Sequence, residues 1–192
     1  MLKKRIIFVF ILVLVLASCT SLKNPAIKCI ILDSKTHALI SNALVYIKWQ
    51  KLVSGPGGRT GGKIVKEMRL ETKDGQFTIP ERRICNFLPY PFGQGGILIL
   101  KIYAHGYKTE NYSFDNTEEI YHFESGDQKR ILLERIDNAD LYSSQLTGLS
   151  PSEIGCDYII ADTKYFLRTY PRSRWADYHE QDLRRLLNEK AR

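Results

Sequence analysis

KIVKEMRLETKDGQFTIP, residues 63–80, decides the fold. It follows the glycine-rich run GPGGRTGG, residues 55–62, so Gly57, Gly62 and Lys63 stand at the G-x-x-x-x-G-K spacing of a phosphate-cradling loop. A working loop of that kind needs a helix after the lysine, whose first amides face phosphate, and a hydroxyl beside the lysine for magnesium. Ile64 stands where Ser or Thr should, and residues 64–73 read as a strand. No nucleotide partner is therefore expected. The five glycines of residues 55–62 instead predict a flexible hairpin tip, and Asp74-Gly75 predicts a second hairpin before the strand QFTIP.

Working outward, the same texture continues on both sides. AIKCIILD (26–33), ALVYIKWQ (43–50), ILILKIYA (97–104), YKTENYSF (107–114) and KRILLERI (129–136) are short apolar or alternating runs separated by turn residues. In ALVYIKWQ, Leu44 and Tyr46 alternate with Val45, Ile47 and Trp49. ILILKIYA is the most apolar stretch outside the N-terminus and predicts a central strand. With the two strands around Asp74-Gly75, seven strands without an intervening helix predict a mainly β chain, an antiparallel β-sandwich over residues 26–136.

The N-terminus sets the compartment. Lys3, Lys4 and Arg5 precede an unbroken apolar run from Ile6 to Leu16, too short to span a bilayer and flanked like a signal peptide. The run ends in Leu16-Ala17-Ser18-Cys19. Residues 1–18 thus read as a signal peptide and 19–25 as a polar tether. Three of the 28 basic residues and none of the 21 acidic ones fall in the signal, so the remaining chain carries 25 against 21, a net charge of +4. That balance reads as a solvated surface, with no nucleic acid partner. Beyond Cys19, three cysteines remain: Cys29, Cys85 and Cys156. Cys29 and Cys156 read as buried small hydrophobes, and a Cys29–Cys85 bridge is left open.

Two resemblances enter here. LASC resembles the bacterial lipobox, which implies lipidation of Cys19, anchoring without a transmembrane helix and, with Thr20 rather than aspartate next to it, sorting to the outer membrane of a Gram-negative host. Several acyl chains contribute roughly 0.8 kcal/mol per buried methylene, enough for a stable anchor. Second, Asp33, Thr36, Asn42-Ala43, Thr72, Asp74, Gly75, Phe77 and Ala104-His105-Gly106-Tyr107 follow the order of a carboxypeptidase regulatory-like (transthyretin-like) domain. That resemblance implies a sandwich and no activity, since the peptidase domain of the enzymes that name the family is absent.

The last fifty residues change character. Ser150-Pro151-Ser152-Glu153 has the form of a capping box, predicting a helix from Pro151 to about Tyr170 with Ile154, Tyr158, Ala161 and Tyr165 on one face. Ser173 is placed to cap a second helix bearing a stripe of Trp175, His179 or Tyr178, Leu183, Leu186 and Leu187. The segment resembles a single tetratricopeptide-type pair, a helical hairpin over residues 150–191 that packs on the sandwich or docks a partner.

Candidate binding residues are Arg59 and Lys63, for an anionic glycan or lipid headgroup, and Phe87, Tyr90 and Phe92 in the long aromatic loop 85–96. No cofactor or metal is expected: His122, Glu124 and Asp127 form the one metal-like cluster and lack a second histidine. The chain reads as a membrane-anchored, non-catalytic binding or scaffolding module for envelope protein or glycan. The rivals are sugar stacking on Tyr90, Phe92 or Trp49, and an enzyme whose site would gather His37, His105, Glu124 or Asp127.

Overall fold

The computed structural model describes residues 20–55, 58–86, 93–115, 119–120, 123 and 128–191. The chain is mainly β with a C-terminal helical region. Among the described residues there are nine strands: β1 (Thr20–Asn24), β2 (Ile27–Asp33), β3 (Leu44–Gly55), β4 (Gly58–Glu71), β5 (Gln76–Ile79), β6 (Arg82–Asn86), β7 (Gly93–Tyr103), β8 (Glu110–Phe114) and β9 (Lys129–Leu133). All seven stretches read as strands are strands. The two additions are β1, where a tether was expected, and β6, its antiparallel partner. The four-stranded sheet runs β4-β3-β7-β8, with the apolar β7 internal as expected, and a three-stranded sheet runs β5-β2-β9.

Two strand expectations are corrected. The pair β2–β9 is parallel, with Ile31 beside Ile131, so the arrangement is not wholly antiparallel. Asp74-Gly75 does not close a hairpin either, because β4 pairs with β3 while β5 pairs with β2. The turn carries the chain from one sheet to the other. Gly75 has φ +65°, and a Cβ there would lie 2.8 Å from the Ile40 carbonyl oxygen. The Ile31 amide donates to the Gly75 carbonyl at 2.8 Å, which ties the crossing to β2. Gly75 thus meets a positive φ and a close backbone approach together.

The two larger sheets bury their facing sides in one cluster. Val45, Ile47, Trp49, Leu98, Leu100 and Ile102 meet Ile27, Cys29, Ile31, Ile79, Ile131 and Leu133 there. Each such side chain contributes about 1.5–3 kcal/mol when fully removed from water. Trp49 is wholly buried, and its indole N–H donates to Asn24 Oδ1 at 2.9 Å. The Asn24 amide in turn donates to the Pro80 carbonyl at 2.8 Å, fastening β1 down. Cys29 is a free buried thiol, so it forms no bridge to Cys85, and burial pushes its pKa up to about 12. Cys156, expected to be buried, is free and exposed.

The opposite face of the four-stranded sheet is covered by helices. The C-terminal region holds α1 (Ala139–Thr147), α2 (Pro151–Ile154), α3 (Cys156–Thr169) and α4 (Ala176–Lys190), with α1 packed on α3 through Tyr142, Leu146 and Phe166. Leu44, Tyr46 and Tyr103 of the sheet pack with Ile154, Ile159, Ile160 and Leu186. Among the described residues, three helices lie within 150–191 where a hairpin of two was expected, and α1 precedes them. The helix begun at Pro151 breaks at Gly155, φ +85°, and resumes at Cys156. Ser150 makes no cap hydrogen bond, and Glu153 turns to the sheet instead. Ser173 is not a cap, since α4 starts at Ala176 with Trp175 before it. The buried face of α3 is Ile159, Ile160, Asp162, Thr163 and Phe166, with the expected Ala161 exposed. On α4, His179 and Leu186 are buried, whereas Tyr178 and Leu187 are exposed.

Candidate functional site at the seam of sheet and helices

Asp33, Thr36, Thr72 and Tyr107 converge on the turns of the β region. Asp33 accepts from the Thr36 amide at 2.8 Å, the Lys35 amide at 2.9 Å and the Tyr107 hydroxyl at 3.0 Å. The Thr36 amide first, then the Tyr107 hydroxyl, hold its carboxyl down at about 2. Thr72 Oγ1 accepts from the Ala43 amide at 3.1 Å, and the Asn42 amide donates to the Thr72 carbonyl at 2.6 Å. Residues far apart in sequence thereby fix the loop 34–42 beside the turn Ala104–Tyr107.

At that turn the sheet meets the helices. Gly106, with φ +82°, lies so close to Tyr165 that a Cβ would come 2.7 Å from its hydroxyl. The Gly106 amide donates to the Tyr142 hydroxyl at 2.9 Å, and Tyr142 donates onward to Asp162 Oδ1 in a short hydrogen bond. The same carboxylate oxygen meets His105 Nδ1 at 2.7 Å. An ionised carboxylate only accepts, so Nδ1 carries the proton and the Nε2 edge is left for other partners. His105 stacks on Tyr158 at 4.6 Å between ring centroids, with Tyr165 at 6.0 Å beyond. Asp162 is buried while the imidazole is partly exposed.

A second polar contact joins the same layers. Glu153 Oε2 meets Lys101 Nζ at 2.5 Å and accepts from the Tyr103 hydroxyl at 3.3 Å. Arg69 Nε donates to the Glu153 carbonyl at 2.8 Å, and the same guanidinium reaches the Ser152 carbonyl. Burial first, and then the Glu153 charge, raise the Tyr103 pKa. Deeper in the helices, Ser143 Oγ lies 2.8 Å from His179 Nε2. Burial lowers the His179 pKa, which favours a neutral imidazole shared with that hydroxyl.

Three cavities open around His105. One of about 400 Å³ lies between the 36–42 loop, Tyr107, Arg135 and Tyr165. A second of about 430 Å³ runs between α3 and α4. A third of about 290 Å³ is bordered by Glu71, Lys73, Asp157 and Tyr158. Leu39, 55% exposed, stands on the rim of the first.

The residues singled out from sequence lie elsewhere. Arg59 sits in β4 opposite Ser54, near the tip of the β3–β4 hairpin. Lys63 is exposed in the same strand. The described glycines Gly55, Gly58 and Gly61 are paired between β3 and β4, and Gln50 Nε2 donates to the Gly62 carbonyl at 2.8 Å, while Pro56 and Gly57 of the expected tip lie outside the described residues. Cys19, Phe87, Tyr90, Phe92, His122, Glu124 and Asp127 lie outside the described residues. Trp49 is removed as a sugar platform by its burial. His105 is among the residues the sequence offers for a hidden site, and it stands here with Asp162 and Tyr142, which the sequence reading does not single out. The signal for Asp162 was present: Ile159, Asp162, Thr163 and Phe166 follow the i, i+3, i+4, i+7 spacing of a buried stripe. Among the described residues, no group of three His, Cys, Asp or Glu could hold a metal ion, and no helix is long and apolar enough to cross a membrane.

No protein-family model matches the chain, and no curated protein matches it. Among solved structures, an alternative pilotin from the type II secretion system of Vibrio cholerae is similar at 16% identity, covering 58% of this chain and 94% of that chain, with a TM-score of 0.29. A likeness that slight carries no weight for fold or function.

Proposed function

We propose that the chain is a bacterial envelope lipoprotein, anchored through Cys19, whose transthyretin-like β-sandwich and helical hairpin form a non-catalytic binding or scaffolding module. Its partner is an envelope protein or glycan, and in a Gram-negative host its place is the periplasmic face of the outer membrane. The anchor rests on Leu16-Ala17-Ser18-Cys19. The observation that carries the binding role is the seam. Asp162 is committed to two donors from separate elements, Tyr142 and His105, and so holds α3 on the β7–β8 turn with open cavities on either side. A carboxylate and imidazole used in that way act as a fastening, and the cavities beside them supply a preformed surface. The concurrence of Asp33, Thr36, Ala43, Thr72, Gly75 and Tyr107 in one turn network supports the family resemblance.

Two measurements test this reading. Cys19→Ala protein should move from the membrane to the soluble fraction of cells, and its full retention would remove the anchor. Crosslinking capture from intact cells should recover an envelope protein or glycan with the full chain and lose it with Leu39→Asp, which puts a charge on the rim of the cavity. Equal capture by both would place binding away from the seam. Truncation before the helices is a poor alternative, because it would bare Leu44, Tyr46 and Tyr103.

A further inference from the structure

The groove between α3 and α4 is a cavity of about 430 Å³ whose charge is unlike that of its neighbours. Lys164 and Arg168, one turn apart on α3, line it together with Lys190 of α4 and His105. Asp157 is the one acid in its lining, and it is already paired with Lys190. Neither Lys164 nor Arg168 has a carboxylate partner among the described residues; Arg168 Nε reaches only the Lys164 carbonyl, at 3.4 Å. Two like charges at i, i+4 repel on a helix, so an anion between them relieves a cost already present. The floor is apolar, made by Ile160 and by Leu187, which is 42% exposed.

We propose that this groove binds a phosphate-bearing anion, with Lys164 and Arg168 clamping the phosphate and the apolar floor taking the organic part of the ligand. Arg presents a fork that matches phosphate oxygens, and Lys adds a point charge beside it. The volume exceeds that of phosphate alone, so the ligand is a small phosphate ester or the headgroup of an anionic phospholipid. The two rings in its lining, His105 and Tyr165, already pack on other rings, His105 on Tyr158 and Tyr165 on His105 and Tyr142, which disfavours a nucleobase. The site does not depend on the lipid anchor.

The test is calorimetric titration of the full chain in a neutral detergent, once with inorganic phosphate and once with a soluble short-chain phosphatidylglycerol. The Lys164→Ala/Arg168→Ala double variant should lose at least about tenfold in affinity, the loss expected for charge-assisted hydrogen bonds. Both positions are exposed on a helix where alanine is well tolerated, and Arg172→Ala, outside the groove, should bind as the native chain does. Binding of both ligands with the same loss assigns recognition to the phosphate group itself. Binding of the lipid alone assigns it to a headgroup. If the native chain binds neither ligand, or the double variant binds as tightly as the native chain, the site is overturned.

Discussion

At Asp162 one carboxylate oxygen, nearly closed off from solvent, accepts from Tyr142 and from His105. Removing a buried partner of this kind leaves the others unsatisfied, and Asp162→Ala should cost about 3–5 kcal/mol in denaturant unfolding. Tyr142→Phe strands the Gly106 amide as well as the carboxylate and should cost about 1–3 kcal/mol. A loss below half a kcal/mol from either would show that the contact is incidental. Asp33 answers to pH. Its folded carboxyl is held near 2, below the unfolded value of about 3.9, so its contribution is complete above pH ~4 and is lost as pH falls toward 2. Stability measured across that window should fall with acid, and Asp33→Asn should flatten the slope. The turn residues here were legible in sequence because backbone geometry demands their types. Asp162 was passed over because Tyr158 and Tyr165, which flank His105, drew the stripe one position away from the buried face.

The helices show how tertiary contact overrides a local signal. Ser150-Pro151-Ser152-Glu153 has the sequence of a capping box, yet Glu153 finds more in Lys101 and Tyr103 than in the helix end. Ser150→Ala should therefore change stability by less than about 0.5 kcal/mol. Asn138→Ala should cost about 1 kcal/mol, since Asn138 accepts from the Asp140 amide at 2.8 Å and the Leu141 amide at 3.2 Å. Equilibrium unfolding of the two variants side by side checks the contrast, and the opposite ranking would contradict it. The cap at Asn138 opens α1, a helix that sequence reading missed because its apolar residues are few and only Tyr142 and Leu146 turn inward as large side chains. Strands were read more faithfully than helices. Their alternation survived burial on both faces, whereas their pairing did not follow from it: β2 takes β9 as a parallel neighbour, and Asp74-Gly75 sends the chain between sheets rather than back along one.

Across the whole molecule, three layers share their side chains. The four-stranded sheet buries Val45, Ile47 and Trp49 toward the other sheet, and Leu44 and Tyr46 toward the helices. A thiol reagent should accordingly modify Cys156 in the native chain and reach Cys29 only on unfolding, as mass spectrometry of the labelled peptides would show. A Cys29 that stayed unlabelled in the unfolded, unreduced chain would reveal a bridge. The most direct measurement uses the two tryptophans, which stand in different layers: Trp49 in the core between the sheets, and Trp175 at the start of α4 with its indole N–H 2.7 Å from Asp140 Oδ1. Fluorine NMR of fluorotryptophan-labelled chain follows each through a denaturant series. If the Asp162 and Glu153 contacts fasten helices and sheet into one cooperative body, the two signals lose their native form at the same midpoint. If Trp175 unfolds while Trp49 stays native, the helical region is a loosely held appendage, and the seam is not a preformed binding surface.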